Sequence, residues 1–368
     1  MLKLTQRITF KKETGDKDNM TKRERRVTIK DVATETGYSI ATVSRIVNST
    51  NNFYGQEAQK KVEAAVKKLE YYPNLNARGL KQNKTFNIAF LVPQIDEYYS
   101  IIYASMQRQA KVSGYSVVIF SSDYDCDMET NNINHIRERR YDGVVIGTGL
   151  IDEKINGNIS EYLPGLPVVI IESMKRESGI SSIYIDVEAV SYEAVNHLIG
   201  LGHKRIAYVS APCRFETLQA RYNGYKRALS DSSIELDPDL TVFDKVLETA
   251  QLHDCRNLMD SILKNKDFTA MFVMSDWAAY TALHVARENG INIPEELSVI
   301  SFDNMPFTEF TQPPLTTISQ NSLDIGKTSI DLLFDLINGK PSGNITVTAE
   351  LVLRKSTAPI PYVYAASD

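Results

Sequence analysis

Apolar positions along the chain follow two different rhythms. Between Val27 and Asn48 they recur at helical spacing on two short segments, with Val32 and Ala33 on the first and Val43 and Val47 on the second. Thr28 stands where it would cap the first segment, and Asp31 three residues on completes a capping-box pattern. Gly37 falls where the first helix must stop, and glycine ends a helix at least cost. Ser39 is placed to cap a second helix running to about Val47. A third apolar stripe follows at Val62, Ala65, Val66 and Leu69. Helices of about eight residues are unstable alone. The three are therefore expected to pack as one head, from about Thr21 to Tyr72, whose first two helices form a helix-turn-helix.

From Phe86 the rhythm changes to continuous apolar runs of strand length. They are NIAFLVP (87–93), YSVVIFSS (115–122), YDGVVIGT (141–148), LPVVIIES (166–173), RIAYVSAP (205–212), LTVFD (240–244), AMFVMSD (270–276) and LSVISFD (297–303). Helical patterns separate them at about 99–113, 130–139, 187–201, 222–230, 250–264 and 277–289, with a last one at 323–337. Strands apolar throughout and alternating with helices predict parallel sheets covered on both faces. Seven or eight such units exceed what one doubly wound sheet usually holds, so two similar subdomains with a cleft between them are expected. Ligands of such sheets bind beyond the carboxyl ends of the strands. That makes Asp123, Glu172, Ser275, Asp276 and Asp303 the candidate pocket residues.

Between head and body lies PNLNARGLKQNKT (73–85). Pro73 ends the preceding helix, Asn74 is a cap residue, and Ala77, Arg78, Leu80 and Lys81 favour helix. Gly79 opposes it by roughly 1 kcal/mol. The segment reads either as a plain linker or as a helix that forms only against a partner.

Charge separates these regions further. The net charge of −5 hides 13 Lys+Arg against 6 Asp+Glu over residues 20–85, and 23 against 37 from Phe86 onward. A basic head on an acidic body is the footprint of a polyanion-binding unit joined to one that does not bind nucleic acid. Residues 1–19 are polar and aperiodic and are expected to be disordered, with Met20 an alternative start. They lack the apolar region of a signal peptide, and no apolar run is long enough to span a membrane, so a cytoplasmic protein is expected. Three distant cysteines match neither a disulfide framework nor a metal site.

Enzyme signatures are missing. No G-x-G-x-x-G follows the first strand. Gly326–Thr328 (GKT) resembles the end of a P-loop, but Asn321 occupies the place of its first glycine. The five histidines show no paired ligand spacing, and His203 reads as a loop residue rather than a base. No catalytic residue, cofactor or metal is expected. For DNA the parts are suitable. Ser39, Thr42, Ser44 and Asn48 are short hydrogen-bonding side chains suited to phosphate contacts, and Thr28 at the first cap joins the set. Ile40 and Ala41 lie at the end of the second helix that reaches base edges, where they could meet thymine methyl groups. The competing reading of Ile40 is a core position. Arg45, one turn on, is the candidate for a bidentate contact to guanine.

With these residues in view, TIKDVATETGYSIATVSRIVN resembles the head of LacI/GalR-family transcription regulators, and KKVEAAVKKLEYYPNLNARGLK resembles their third helix and hinge. YDGVVI, GHKRIAYVS, RYNGYKRAL, SVISFDN and PPLTTISQ follow in family order. The resemblance implies a periplasmic-binding-protein-like type I body of two doubly wound parallel-sheet subdomains. It places the N-subdomain at about 86–184 and 318–345, and the C-subdomain at about 185–317 and 346–362. It implies that Asn74, Ala77, Arg78 and Leu80 belong to a hinge helix that forms on DNA, with Leu80 the wedge in the minor groove. Arg221 and Asp303 would hold the effector, with Glu172 and Ser275 near it and Tyr98 and Tyr99 as stacking surfaces. The first cleft loop departs from the family's usual V-P-D-I-x-N-P-F-F, carrying Gln94 for Asp and no second proline. The C-terminus has no leucine heptads, so a homodimer is expected rather than a tetramer.

The resulting expectation is a homodimeric repressor of carbohydrate-utilisation genes. It would bind a palindromic operator and leave it when a sugar or sugar phosphate closes the cleft. The alternatives are a corepressor-type ligand of opposite sign, a catabolite-type global regulator controlled by a phosphorylated partner protein, and, from other classes, a solute-binding protein or an enzyme.

Overall fold

The computed structural model describes residues 27–48, 55–72, 84–147, 159–172, 180–213, 216–249, 252–341 and 343–360. The chain divides into two units, Met1–Arg78 and Gly79–Asp368.

In the first unit, α1 (Ile29–Thr36), α2 (Ile40–Asn48) and α3 (Gln56–Lys68) enclose a small core. Val32, Val43 and Val62, one from each helix, are fully buried at its centre. Burying each such side chain stabilises by about 1.5–3 kcal/mol relative to leaving it in water. The Thr28 amide and hydroxyl both donate to Asp31 Oδ2, at 2.8 and 2.7 Å. Gly37 ends α1 in the left-handed region, φ 71°, with its amide on the Ala33 carbonyl at 2.9 Å. Ser39 Oγ accepts the Thr42 amide at 3.1 Å and so caps α2. Lys68 pairs with Glu35 at 2.8 Å, tying α3 to α1.

The second unit holds two six-stranded sheets. The first contains β1 (Asn87–Val92), β2 (Ser116–Ser121), β3 (Gly143–Ile146), β4 (Val168–Glu172), β5 (Ser181–Tyr184) and β11 (Asn344–Thr346), in the order β11-β5-β4-β3-β1-β2. All its pairings are parallel. The second contains β6 (Ile206–Ser210), β7 (Thr241–Phe243), β8 (Ala270–Val273), β9 (Ser298–Phe302), β10 (Thr316–Ser319) and β12 (Glu350–Val352), in the order β12-β10-β9-β8-β6-β7. Only β12 runs antiparallel there. Leaving aside β11 and β12, both sheets share one strand order, so the two halves repeat one doubly wound design. Short β5, β10, β11 and β12 escaped the sequence pattern because Ser, Thr, Asn or Glu interrupts their apolar residues.

Helices α4 (Glu97–Val112), α5 (Cys126–Glu138) and α6 (Ile159–Tyr162) belong to the first half. Helices α7 (Val187–Gly200), α8 (Glu216–Asp231), α9 (Val246–Thr249), α10 (Leu252–Lys264) and α11 (Asp276–Glu288) follow, and α12 (Ser322–Ile337) comes last. The chain passes between halves three times, after β5, after β10 and between β11 and β12. That last helix, α12, returns to pack on α4 of the first half.

Each half fastens one helix pair with a glycine against a serine. A side chain at Gly326 would collide with the Ile102 carbonyl and Ser105 of α4, and one at Gly224 with the Glu188 carbonyl and Ser191 of α7. The GKT at Gly326 is thus a helix-packing site inside α12. His203 is 3% exposed and engaged by Thr269, Ser298 and the Ala358 carbonyl. It is a loop residue, as expected, and it clasps the segment after β12.

Candidate DNA-reading helix and effector cleft

On α2 the apolar residues that build the head point inward and the candidate contact residues point out. Val43 is buried, whereas Ile40 is 44% exposed and Ala41 and Arg45 are exposed. The core reading of Ile40 therefore fails. Ile40 and Ser44, like Ala41 and Arg45, are four residues apart and share a face. Ser39 is exposed, and its hydroxyl lies 2.9 Å from that of Thr42. Thr28 is exposed and engaged with Asp31. Asn48 closes α2, and its side chain lies outside the described residues. Asn74, Ala77, Arg78 and Leu80 also lie outside them.

The body's candidates converge beyond the carboxyl ends of β8 and β9. Arg221, in the middle of α8, is 7% exposed. Its guanidinium lies 3.7 Å over the Phe302 ring and donates to the Met274 carbonyl at 2.6 Å. It also stands 3.9 Å from Asp303 Oδ1. Arg221 Nε is buried without a hydrogen-bond partner in the protein. Asp303 follows β9 with φ 111°, its amide on the Ile318 carbonyl at 2.8 Å and its carboxylate accepting from Gln320 Nε2 at 3.0 Å. Burial pushes the Asp303 carboxyl up from its ordinary range, while Arg221 and Gln320 pull it back.

Facing this pair from the first half are Asp96 and Tyr98. Asp96 caps α4 by accepting the Tyr99 amide at 2.8 Å. Its carboxyl is pushed up to about 7, chiefly by burial and secondarily by the negative charge of Asp303. The Tyr98 hydroxyl is buried with no partner, and burial together with Tyr99, Asp303 and Asp96 raises its pKa against the pull of Arg221. Arg221, Asp303 and Tyr98 are thus brought together. Buried polar groups without partners are rare in folded proteins, and two of them, Tyr98 Oη and Arg221 Nε, converge on one cleft.

Other expected pocket residues are engaged within the protein or lie outside the described residues. Tyr99 is 6% exposed, its ring packed edge-on against Phe90 with 6.1 Å between centroids. It is a core residue, since a helix start can turn only one of two adjacent tyrosines to the cleft. Asp276 is fully buried, and its carboxylate accepts from Ser301, Thr317 and the Met305 amide, so it does not face a ligand. Ser275 caps α11 by accepting the Ala278 amide at 3.3 Å. Asp123 is exposed beyond edge strand β2 and bonded to Ser121 at 2.6 Å. Glu172 ends β4, and its side chain lies outside the described residues. Sequence reasoning missed Asp96, Phe302 and Gln320. Asp96 had a usable signal, an Asp directly before a helical pattern; the other two had none.

A small helical unit with an outward-facing second helix, attached to a two-lobed α/β body with a polar cleft, defines a ligand-responsive DNA-binding regulator. Comparisons place it within that class. The profile for bacterial regulatory proteins of the lacI family matches residues 28–74, and that for periplasmic binding protein-like domains matches 195–357. The HTH-type transcriptional regulator RegA of Clostridium saccharobutylicum is 31% identical over 335 residues, covering 89% of this chain and 98% of the relative. Catabolite control protein A of Priestia megaterium is 31% identical over 336 residues, covering 90% and 99%. Among solved structures, the Lac repressor dimer bound to operator and the anti-inducer ONPF superimposes with a TM-score of 0.78 at 27% identity, covering 91% of this chain and all of that one.

The chain belongs to the LacI family. It is a DNA-binding transcriptional regulator of the repressor type with an effector-binding body. Members of this family bind operator DNA and small effectors and act as dimers, and the relatives found are regulators rather than enzymes. Among the described residues no helix is long and apolar enough to cross a membrane.

Proposed function

We propose that this protein is a homodimeric repressor of carbohydrate-utilisation genes that leaves its operator when a small sugar-like ligand closes the body's cleft. The observation that carries this reading is Arg221. A guanidinium stacked on an aromatic ring, beside a carboxylate and with one N–H unused, suits adjacent sugar hydroxyls, which accept from the guanidinium and donate to the carboxylate. Tyr98 adds a free hydroxyl from the opposite half. Ligand bound across both halves favours the closed state, and only the difference in its affinity for open and closed forms drives release from DNA. By reciprocity, operator DNA weakens ligand binding by the same factor.

On the DNA side, Ile40 and Ala41 would read methyl groups or shape, Arg45 a guanine, and Ser39, Thr42, Ser44 and Asn48 phosphates. Asn74, Ala77, Arg78 and Leu80 would form the hinge that couples the body to the head. Arg45→Ala is expected to lose about 1–3 kcal/mol of discrimination between operator and random duplex. Affinity for random DNA should keep most of its salt dependence. Competition footprinting reads both, and unchanged discrimination would remove Arg45 from the reading set.

A second reading rests on the 31% identity to catabolite control protein A. In it the body answers to a phosphorylated partner protein instead of, or besides, a sugar. A ligand screen by thermal shift on the full chain, with and without phosphorylated cell extract, separates the two.

A further inference from the structure

Asp303 reaches Arg221 from an awkward stretch of backbone. Asp303 and Asn304 are consecutive non-glycine residues with φ of 111° and 54°. Such conformations persist only where the surroundings over-determine them. What holds this turn is traceable atom by atom. The Met305 amide, just past the turn, donates to Asp276 Oδ2 at 2.6 Å. The Asn304 amide donates to Thr317 Oγ1 at 3.3 Å, and that hydroxyl donates onward to Asp276 Oδ1 at 2.6 Å. Ser301, two residues before Asp303, donates to the same oxygen at 2.5 Å. One fully buried carboxylate therefore grips the chain before the turn, after it, and through Thr317 in its middle.

From these contacts we infer that Asp276 is a positioning residue, whose carboxylate locks the strained Asp303–Met305 turn so that Asp303 faces Arg221. The inference deepens the cleft reading above and rests on it for its consequence, that ligand affinity depends on a residue no ligand touches. Asp276 suits the task because a carboxyl group offers two acceptor oxygens, and all three groups converging on it are donors. Alanine leaves those donors without an acceptor. The backbone then relaxes toward negative φ and swings the Asp303 carboxylate away from Arg221 and Gln320. Arg354 supports the same turn from its outer side, with Nη2 on Asn304 Oδ1 at 2.8 Å.

The turn carries its own reporter. Met305 leads into a short 3-10 turn, Pro306–Glu309, whose Phe307 ring lies 4.9 Å from Trp277, centroid to centroid. Trp277 is the chain's single tryptophan and the neighbour of Asp276. Its emission therefore reads the state of the turn in the full-length protein without any ligand.

The test compares full-length Asp276→Ala, the milder and nearly isosteric Thr317→Val, and Asp276→Ala with Asn304→Gly. Crystal structures and Trp277 emission are the readouts. Expected are an Arg221–Asp303 separation opened well beyond the present 3.9 Å in Asp276→Ala and a shifted Trp277 emission in both single variants, smaller in Thr317→Val. Glycine at 304 tolerates the left-handed conformation without the clamp, which outweighs the Asn304–Arg354 bond it removes, so Asn304→Gly should recover part of the emission shift. A merely structural role for Asp276 would show no such rescue. Should Asp276→Ala not fold, Thr317→Val alone decides. The inference is overturned if the separation and emission stay as in the parent protein, or if the glycine restores nothing. If the turn opens while ligand-induced release from DNA persists, positioning stands and the effector role of Asp303 falls.

Discussion

The two rims of the cleft are built from the same strand order but hold their side chains differently. On the second rim, Arg221 is fastened by Phe302, the Met274 carbonyl and Asp303, and Asp303 is fastened in turn by Gln320 and the turn around Asp276. On the first rim, one helix start does the work. Asp96 caps α4, and the Tyr98 hydroxyl is left without a partner. A preorganised rim gives up little entropy when a ligand arrives, whereas a rim with an orphaned hydroxyl gains a bond only when one does. In the proposed reading, gripping falls to the second half and closure to the first.

The sharpest way to break this contrast is Arg221→Ala. Losing a charged hydrogen-bonding anchor should cost roughly 1.5–3 kcal/mol of ligand affinity, about ten- to a hundredfold, with DNA binding retained. Calorimetry on any ligand found by screening, beside a DNA-binding assay, checks both halves of that statement. Next come the helix-packing glycines, which test whether the two halves are one design. Gly224→Ala and Gly326→Ala each push a methyl group into neighbouring backbone. Each should destabilise the body by about 1–3 kcal/mol in urea unfolding. A large effect at one and none at the other would argue against the shared device.

Tyr98→Phe should act more gently and with opposite signs on two properties. It removes a buried hydroxyl that lacks a partner, so stability stays level or rises. Ligand affinity falls by about 0.5–1.5 kcal/mol, the worth of one hydrogen bond. Equal ligand affinity would remove Tyr98 from the closing rim. The smallest effect is proton-linked. Asp96 titrates near 7 in the folded body against 3.8 as an ordinary carboxyl, so between those values the folded state binds more protons than the unfolded one. Body stability should therefore fall as pH rises through that window and level off above it. Asp96→Asn should flatten part of that slope in melting curves taken from pH 5 to pH 8. Asp276 and Asp303, whose carboxyls burial also raises, add to the slope, and His197 and His203, whose imidazoles burial lowers, oppose it. An unchanged slope would mean that Asp96 is not desolvated.

Legibility followed locality. The head was readable because caps, a stop glycine and apolar spacing are short-range signals, and Thr28, Gly37 and Ser39 act as their positions imply. The long buried strands were readable because both of their faces are apolar. β11 and β12 were not, since their residues are exposed or half-buried and form no apolar run. The cleft was harder. An Asp at a strand end looks the same whether it turns toward Arg221, as Asp303 does, or turns inward to satisfy backbone, as Asp276 does. Side-chain direction there is set by partners distant in sequence, such as Thr317 and Gln320, which no local pattern announces.

In the proposed mechanism, occupancy at Arg221 takes the head off DNA. Its most direct test is operator release measured by fluorescence anisotropy. The full-length protein and Arg221→Ala would each be bound to duplex recovered by selection from random sequence, then challenged with a panel of sugars and sugar phosphates. The account predicts that at least one compound releases the parent protein while the variant binds the duplex equally well and stays bound. Release of both by the same compound at the same concentration would contradict it.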